Sequence, residues 1–144
     1  MNLFVVDTSV VVKWFAGVDE PNIKQALQLL DDFEKGRVQL ATSDLLIYEL
    51  GNALLKGKKL PAEIISAALE RLYRIGFEIF PADQLIARES AAIAARYGLT
   101  FYDAVFAALA KLQGCQLISA NPRCHGKIKD GSVLDLAQYR SGSL

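Results

Sequence analysis

The stretch Leu3-Phe4-Val5-Val6-Asp7-Thr8-Ser9 joins four apolar residues to three residues that favour turns and helix starts. A short apolar run that stops at such residues is typical of a buried strand, and Thr or Ser is a favourable N-cap. We therefore predict a strand over residues 3–6 and a helix that begins at Thr8 or Ser9. Residues 10–15 also have the β-branched content of a strand, but a helix is favoured because the preceding strand has just ended.

Strand and helix signals alternate along the rest of the sequence. Further strands are predicted over residues 38–41, 77–80, 115–119 and 132–136. Helices that start at Pro, Ser, Asp or Thr and end at Gly are predicted between them, over residues 21–36, 43–57, 61–76, 83–98 and 100–114. Strands separated by helices need crossover connections, so we predict an α/β fold with a mainly parallel sheet covered by helices on both faces.

The composition is that of a folded domain without overall charge. Of the 144 residues 52% are hydrophobic, which is enough for a core, and the length fits one domain over residues 1–144. Sixteen Lys and Arg balance sixteen Asp and Glu, which excludes a globally basic nucleic-acid-binding protein. No apolar run is long enough to span a membrane and no signal peptide is recognised, so we expect a cytoplasmic protein with no membrane partner.

Several common kinds of site are not supported by the sequence. Cys115, Cys124 and the single His125 are too few for a structural zinc site and form no CxxC motif. The glycines form neither GxGxxG nor GxxxxGK[ST], so a nucleotide-binding loop is not indicated, and no GxSxG motif is present. His125 lies in a polar loop without an evident Ser or Cys partner, and we interpret it as a surface residue.

Two acidic residues are candidates for a site at the carboxyl ends of the strands, where a parallel sheet binds its ligands. Asp7 follows the first strand, although an Asp there is equally suited to cap a helix. Asp103 is the only polar side chain in the apolar segment 103–110, which predicts a helix inside the protein and a buried carboxylate that needs a partner. The alternative is that Thr100 starts a capping box in which Asp103 merely occupies the first turn.

A third acid and an amide complete the pattern. Glu49 lies on the predicted helix after the second strand, in a stripe with Asn52 and Lys56 that could simply face solvent. Asn121 follows the fourth strand, although Asn before Pro is also an ordinary turn signal. Carboxylates that lie close together repel one another unless a hard cation neutralises their charge. Oxygen ligands favour Mg²⁺ or Mn²⁺ as that cation. The sequence therefore indicates a divalent-cation site suited to phosphoryl chemistry.

Four segments, taken in order, resemble the PIN-domain family, and within it the VapC-type toxin ribonucleases of toxin–antitoxin pairs: residues 4–15, 43–54, 99–110 and 117–121. The resemblance implies a three-layer α/β/α sandwich with a mainly parallel central sheet, and a Mg²⁺- or Mn²⁺-dependent endoribonuclease that hydrolyses RNA phosphodiester bonds. It extends from near the first residue to about residue 136.

The resemblance also assigns residues to the site. Asp7 and Asp103 match the family's main metal-binding acids, and Glu49 matches the acid between them. The family usually has a fourth Asp where this chain has Asn121, whose neutral amide weakens a second cation site, so one tightly held metal ion is expected. Ser9 and Asn52 match neighbouring polar positions of the family that bind metal-bound water. The alternative is that Ser9 is a helix cap and Asn52 an ordinary polar residue on a helix surface.

The implied partners are an RNA substrate, a cognate antitoxin and a second copy of the chain in a homodimer. Seven cations are candidates to bind flanking phosphates: Lys13, Lys56, Lys58, Lys59, Arg123, Lys127 and Lys129. Three aromatic residues could contact the antitoxin or pack in the core: Trp14, Phe15 and Tyr48. The sequence leaves open a non-catalytic RNA- or partner-binding module, which the loss of an acid at Asn121 would permit, and a PIN nuclease that acts in RNA processing. A phosphoacceptor receiver domain is disfavoured, because no acidic pair follows the first strand.

Overall fold

The structure, a computed structural model, describes residues 2–142. Its strands are β1 Asn2–Val6, β2 Val38–Ser43, β3 Glu78–Phe80, β4 Gln116–Ser119 and β5 Val133–Asp135. Its α-helices are α1 Thr8–Ala16, α2 Ile23–Glu34, α3 Leu45–Asn52, α4 Ala62–Ile75, α5 Gln84–Tyr97 and α6 Phe101–Leu112. None of the helices in this range is long and apolar enough to cross a membrane.

The five strands form one parallel sheet in the order β3-β2-β1-β4-β5. β1 lies at its centre, where Val5 pairs with Ala41 of β2 on one side and with Leu117 of β4 on the other. The predicted parallel sheet is confirmed, including the fifth strand. Buried apolar residues on both faces of the three inner strands, β1, β2 and β4, explain why a parallel arrangement is stable here.

The direction in which the chain crosses the sheet determines the layers. From β1 the chain moves outward to β2 and β3, then returns past β1 to β4 and β5. Right-handed crossovers therefore place α1 to α4 on one face and α5 and α6 on the other, and the contacts agree, since α1 packs on α2 and α3 while α5 packs on α6. The fold is the three-layer α/β/α sandwich. The strand order reverses between β1 and β4, which is where sheets of this kind bind ligands.

Two helix boundaries differ from the sequence prediction. The helix predicted over residues 43–57 is α3 followed by a π-helical turn over Ala53–Gly57. The helix predicted from residue 21 begins at Ile23, because Asn22 has a left-handed backbone with φ 61°. The predicted starts at Asp83 and Thr100 are confirmed, since each side chain accepts a hydrogen bond from a backbone N–H three residues on.

The C-terminal segment is fixed to α2 through a buried carboxylate. Asp32 is fully buried and accepts hydrogen bonds from Tyr139 Oη at 2.5 Å and Ser141 Oγ at 2.9 Å. Gln28 and Arg37 donate to Oδ1, the oxygen that Ser141 also contacts, at 3.1 and 3.0 Å, whereas Tyr139 donates to Oδ2. Burial opposes ionisation, but these four donors outweigh it and lower the pKa of Asp32. The ionised carboxylate therefore stabilises the folded chain.

Candidate active site

The acids that are distant in sequence lie around one open pocket of about 280 Å³ at the carboxyl end of the sheet. Asp7 directly follows β1, Glu49 lies on α3, and Asp103 lies in the first turn of α6. Asn121 is the second residue after the end of β4. The remaining lining residues are Thr8, Ser9, Asn52 and Ala53. The structure thus brings all six predicted site residues into a single pocket, at the point where the strand order reverses.

Asp7 is the most buried of the three acids, with 4% of its surface exposed. Its position at the N-cap of α1 agrees with the cap interpretation, but its side chain makes no capping hydrogen bond. The carboxylate instead accepts from Ser9 Oγ at 2.6 Å and from Ser119 Oγ at 3.2 Å. These hydroxyls fix the carboxylate in one orientation toward the pocket.

Glu49 is half-buried and accepts a hydrogen bond from Thr8 Oγ1 at 2.7 Å. Burial raises its pKa above the ordinary value, and the negative charges of Asp103 and Asp7 raise it further, against the lowering effect of Thr8. The interpretation as a solvent-facing stripe is therefore wrong for Glu49, because the pocket encloses one side of α3. A carboxylate that is desolvated beside other acids is a stronger base than an exposed one.

Asp103 combines the two alternatives that the sequence left open. Its backbone N–H donates to Thr100 Oγ1 at 3.1 Å, as in a capped helix, while its side chain lines the pocket. The predicted burial is confirmed for the segment 103–110, in which Asp103 and Val105 are partly buried and the other residues are buried. Phe101 and Tyr102, which precede that segment in the first turn of α6, are 47% and 61% exposed. The Cys124 thiol lies against the Asp103 carboxylate, and burial together with that negative charge raises the pKa of the thiol.

The sequence predicted that His125 lies on the surface, and this is wrong, because the residue is 99% buried beneath the acids. Its Nε2 donates to the Asp103 carbonyl at 2.9 Å, and its Nδ1 lies 2.7 Å from Ser119 Oγ and 3.3 Å from Asp7 Oδ2. Burial alone would lower the pKa of His125, but the hydrogen bond and charge of Asp7 and the Asp103 carbonyl raise it overall. The imidazole therefore links the segments that hold two of the acids.

Ser119 is the second residue that sequence reasoning missed. Its hydroxyl donates to Asp7, accepts from the Asn121 backbone N–H at 3.1 Å and contacts His125. Beside it, the Ala120 N–H donates to Ser9 Oγ at 2.9 Å, so the ends of β1 and β4 are joined by side chains as well as by the strand pairing. The available signal was a polar residue at the end of an apolar strand, six positions before the only histidine.

The seven candidate cations separate into two groups. Lys13 and Lys58 are not free to bind phosphate, since both form ion pairs with Glu20, at 3.2 and 3.0 Å, and the Lys13 side chain is only 3% exposed. The pairing lowers the pKa of Glu20, through Lys58 first, against the effect of burial. The other candidates have exposed side chains: Lys56, Lys59, Arg123, Lys127 and Lys129.

The three aromatic candidates also separate. Trp14 belongs to the core, where its indole N–H donates to the Ala26 carbonyl at 2.8 Å. Phe15 is partly buried, with the Arg71 guanidinium 5.3 Å from its ring centroid. Tyr48, next to Glu49 on α3, is 76% exposed and remains available for a partner.

The chemistry of the pocket fits a hard divalent cation that retains much of its water. Within residues 2–142 no three His, Cys, Asp or Glu side chains form a preassembled metal cage. Three carboxylates and two amide side chains nevertheless line the same open pocket, and Mg²⁺ is typically bound by one or two carboxylates together with waters and substrate phosphates. The donor set contains oxygen ligands suited to Mg²⁺ or Mn²⁺, and the mutual repulsion that raises the pKa of Glu49 would be relieved by a cation.

Comparison with known proteins identifies the family. The family model described as PIN domain matches residues 4–129. Exonuclease VapC9 of Pyrobaculum aerophilum is 34% identical over 104 residues, which are 69% of this chain and 74% of that protein. A chain of a toxin–antitoxin complex from Klebsiella pneumoniae superposes with a TM-score of 0.68 at 24% identity, over 92% of this chain and 96% of that one. The structure of Mycobacterium tuberculosis VapC20, a toxin that cleaves the sarcin–ricin loop, superposes with a TM-score of 0.66 at 17% identity, over 93% and 92%. The chain therefore belongs to the PIN-domain family and is similar to its VapC-type nucleases.

Proposed function

We propose that this chain is a Mg²⁺- or Mn²⁺-dependent endoribonuclease and the toxin of a toxin–antitoxin pair, with residues 1–144 as one nuclease domain that acts in the cytoplasm. The observation that supports it best is the single pocket that Asp7, Glu49 and Asp103 share at the switch point of the sheet. Support for RNA as substrate comes from the structural likeness to VapC20, a toxin that cleaves the sarcin–ricin loop.

Asp7 and Asp103 would hold the metal ion directly or through water, with the Asn121 amide oxygen as an additional ligand. When bound, the ion would polarise the scissile phosphate and stabilise the charge that develops on it during in-line displacement. Glu49 would orient the attacking water and accept its proton, a role to which its desolvated carboxylate is suited. Ser9 and Ser119 would keep Asp7 oriented by donating to its two oxygens, and Asn52 would contact water at the pocket rim.

The activity is tested with a linear and a covalently circular RNA of the same sequence, incubated with Mg²⁺, with Mn²⁺ or with EDTA. We expect both RNAs to be cut with either ion, no cleavage in EDTA, and a loss of at least about 100-fold in Asp7→Asn and Asp103→Asn. Glu63→Gln, an exposed acid at the start of α4, is the control and should retain full activity. Cleavage that persists in EDTA and in both variants would rule out the metal-dependent mechanism.

An exonuclease is the second candidate, because the relative from Pyrobaculum is named one. The circular RNA separates the two activities, since it has no end at which an exonuclease can start. Degradation of the linear RNA alone, with single nucleotides as products, would replace the endonuclease proposal by the exonuclease.

A weakened PIN-like binding module is the third candidate, favoured by the neutral Asn121 in a pocket of acids. Titration with Mn²⁺ decides it, because a ligand that binds only the folded chain raises the melting temperature. We expect one ion to bind. Absence of binding together with absence of cleavage would favour the non-catalytic module, and cleavage without toxicity in cells would favour a role in RNA processing.

An antitoxin and a second copy of this chain are the proposed protein partners. The structural likeness to a chain of a toxin–antitoxin complex and the exposed Tyr48 beside the site support the first. Co-expression with the neighbouring gene product followed by size exclusion should give a complex larger than a 1:1 pair of single chains. Tyr48→Ala should weaken it, while Tyr73→Ala, 59% exposed on α4, should not. A monomer that captures no neighbour would contradict both partners.

A further inference from the structure

A second cavity of about 410 Å³ adjoins the acidic pocket, and the two share Asn121. It lies beyond the carboxyl ends of β4 and β5, under the loop that connects them. Its walls include Pro122, Gly126, Lys129 and Asp135. We call it the β4–β5 groove. Because Asn121 lines both cavities, this groove lies within reach of a strand whose phosphate is held among the acids.

The loop over the groove is locally positive although the chain has no net charge. Residues 120–132 contain Arg123, Lys127 and Lys129, all exposed, against the single acid Asp130. Asp130 is engaged by Ser132, whose hydroxyl and backbone N–H both donate to it. Since Lys13 and Lys58 are paired with Glu20, the exposed cation that lines a cavity next to the acids is Lys129.

The floor of the groove has room because of its small residues. At Gly126 an added Cβ would lie 3.7 Å from the nearest heavy atom, Cβ of Pro122, which is an ordinary contact. A Cβ atom is therefore accommodated at this position, which lines the groove. Gly126 thus offers a steric test of the groove, and urea unfolding of the variant checks that the fold is kept.

We propose that the β4–β5 groove is a nucleotide subsite that holds single-stranded RNA on one side of the scissile phosphate, with Lys129 paired to a backbone phosphate. This inference rests on the proposed ribonuclease function and adds the path of the substrate. A single strand is favoured because its backbone is free to bend from one pocket into the next, and a duplex is not. Asp135 on the opposite wall repels phosphate and limits how deep the backbone enters.

The test measures binding separately from cleavage. A fluorescent single-stranded RNA with 2′-fluoro sugars is titrated in EDTA at several salt concentrations, and the anisotropy gives Kd and its salt dependence. Lys129→Ala should raise Kd several-fold and reduce the slope of log K against log salt by about 0.7, the value for one phosphate contact on a single strand. Lys24→Ala, an exposed lysine on α2, which lines neither cavity, is the matched control and should change neither.

Two further variants test the groove, one by adding bulk to its wall and one by removing a negative charge from it. Gly126→Leu should raise Kd without changing the charge. Asp135→Asn should lower Kd, because it removes a negative charge while its amide oxygen still accepts from the Ala137 N–H. If Lys129→Ala and Gly126→Leu both bind RNA as the native chain does, the subsite is wrong, whether or not the chain cleaves RNA.

Failure of the subsite and failure of the nuclease are distinguishable. Cleavage of circular RNA with binding that does not depend on Lys129 keeps the proposed function and overturns the subsite. Binding that depends on Lys129 without cleavage keeps the subsite and overturns the nuclease. A native chain that does not bind the RNA in EDTA at any salt concentration overturns the subsite, while cleavage of circular RNA with Mg²⁺ or Mn²⁺ decides the nuclease separately.

Discussion

Replacing His125 by Ala is predicted to destabilise the fold strongly. The buried imidazole donates to the Asp103 carbonyl at 2.9 Å and contacts Ser119 Oγ at 2.7 Å and Asp7 Oδ2 at 3.3 Å. Its loss leaves a buried carbonyl without that donor and opens a cavity. A neutral hydrogen bond contributes about 1 kcal/mol and one to a charged group about 2 kcal/mol, so we expect a decrease of about 3 kcal/mol in the free energy of unfolding. For a chain of this length the melting temperature should fall by about 10 °C.

A double-mutant cycle isolates the contact between His125 and Ser119. Urea unfolding in EDTA is measured for the native chain, His125→Ala, Ser119→Ala and the double variant. Because the two side chains share one network with Asp7, their effects should fail to add by about 1 kcal/mol or more. A decrease below about 1 kcal/mol for His125→Ala, or additivity within about 0.5 kcal/mol, would refute the inference that the imidazole joins the segments holding the acids.

Three further predictions concern other parts of the chain. The pKa of Asp32 is lower in the folded chain than the unfolded value of 3.8, so ionised Asp32 stabilises the fold fully above pH 3.8 and loses this effect as the pH falls through the folded pKa. The free energies of unfolding of the native chain and of Asp32→Asn, measured from pH 7 to 2, should therefore converge at the acidic end. A constant difference over the whole pH range would contradict this. Leu50→Ala removes a fully buried side chain and should cost about 3 kcal/mol in urea unfolding, and a cost below about 1 kcal/mol would contradict the core position. Mn²⁺ should raise the melting temperature of the native chain and of Glu63→Gln but much less that of Asp7→Asn, and an equal shift in all three would place the ion elsewhere.

The sequence was sufficient to predict the sheet because the strands are short, apolar and bounded by turn residues. Residues 4–6 and 117–119 are buried, and a buried parallel strand requires such runs. Helix starts were predicted where a side chain caps the backbone, as at Asp83 and Thr100. They were less accurate at Asn22, where the deciding feature is a left-handed backbone that has no strong sequence signature.

The buried polar residues of the site were harder to predict, because their partners are distant in sequence. His125 lies in a loop with Arg123, Lys127 and Lys129, so its local composition indicates exposure. It is buried only because the loop folds back over β4 and meets the carbonyl of Asp103, 22 residues earlier. The burial of Lys13 was hard to predict for the same reason, since its charge is paired with Glu20, which lies beyond the end of α1. Periodicity detects faces of one element and not pairings between elements.

The same contacts explain how three carboxylates remain together in a folded chain. Asp7 and Glu49 each accept a hydrogen bond from a neighbouring hydroxyl, that of Ser9 and that of Thr8, and the Cys124 thiol lies beside Asp103. Throughout residues 2–142 every buried side-chain nitrogen or oxygen has a hydrogen-bond partner, so the desolvation of the acids is compensated within the protein. These donors leave part of each carboxylate facing the open pocket. The desolvation and mutual repulsion of the acids are therefore offset by hydrogen bonds from residues of the same chain.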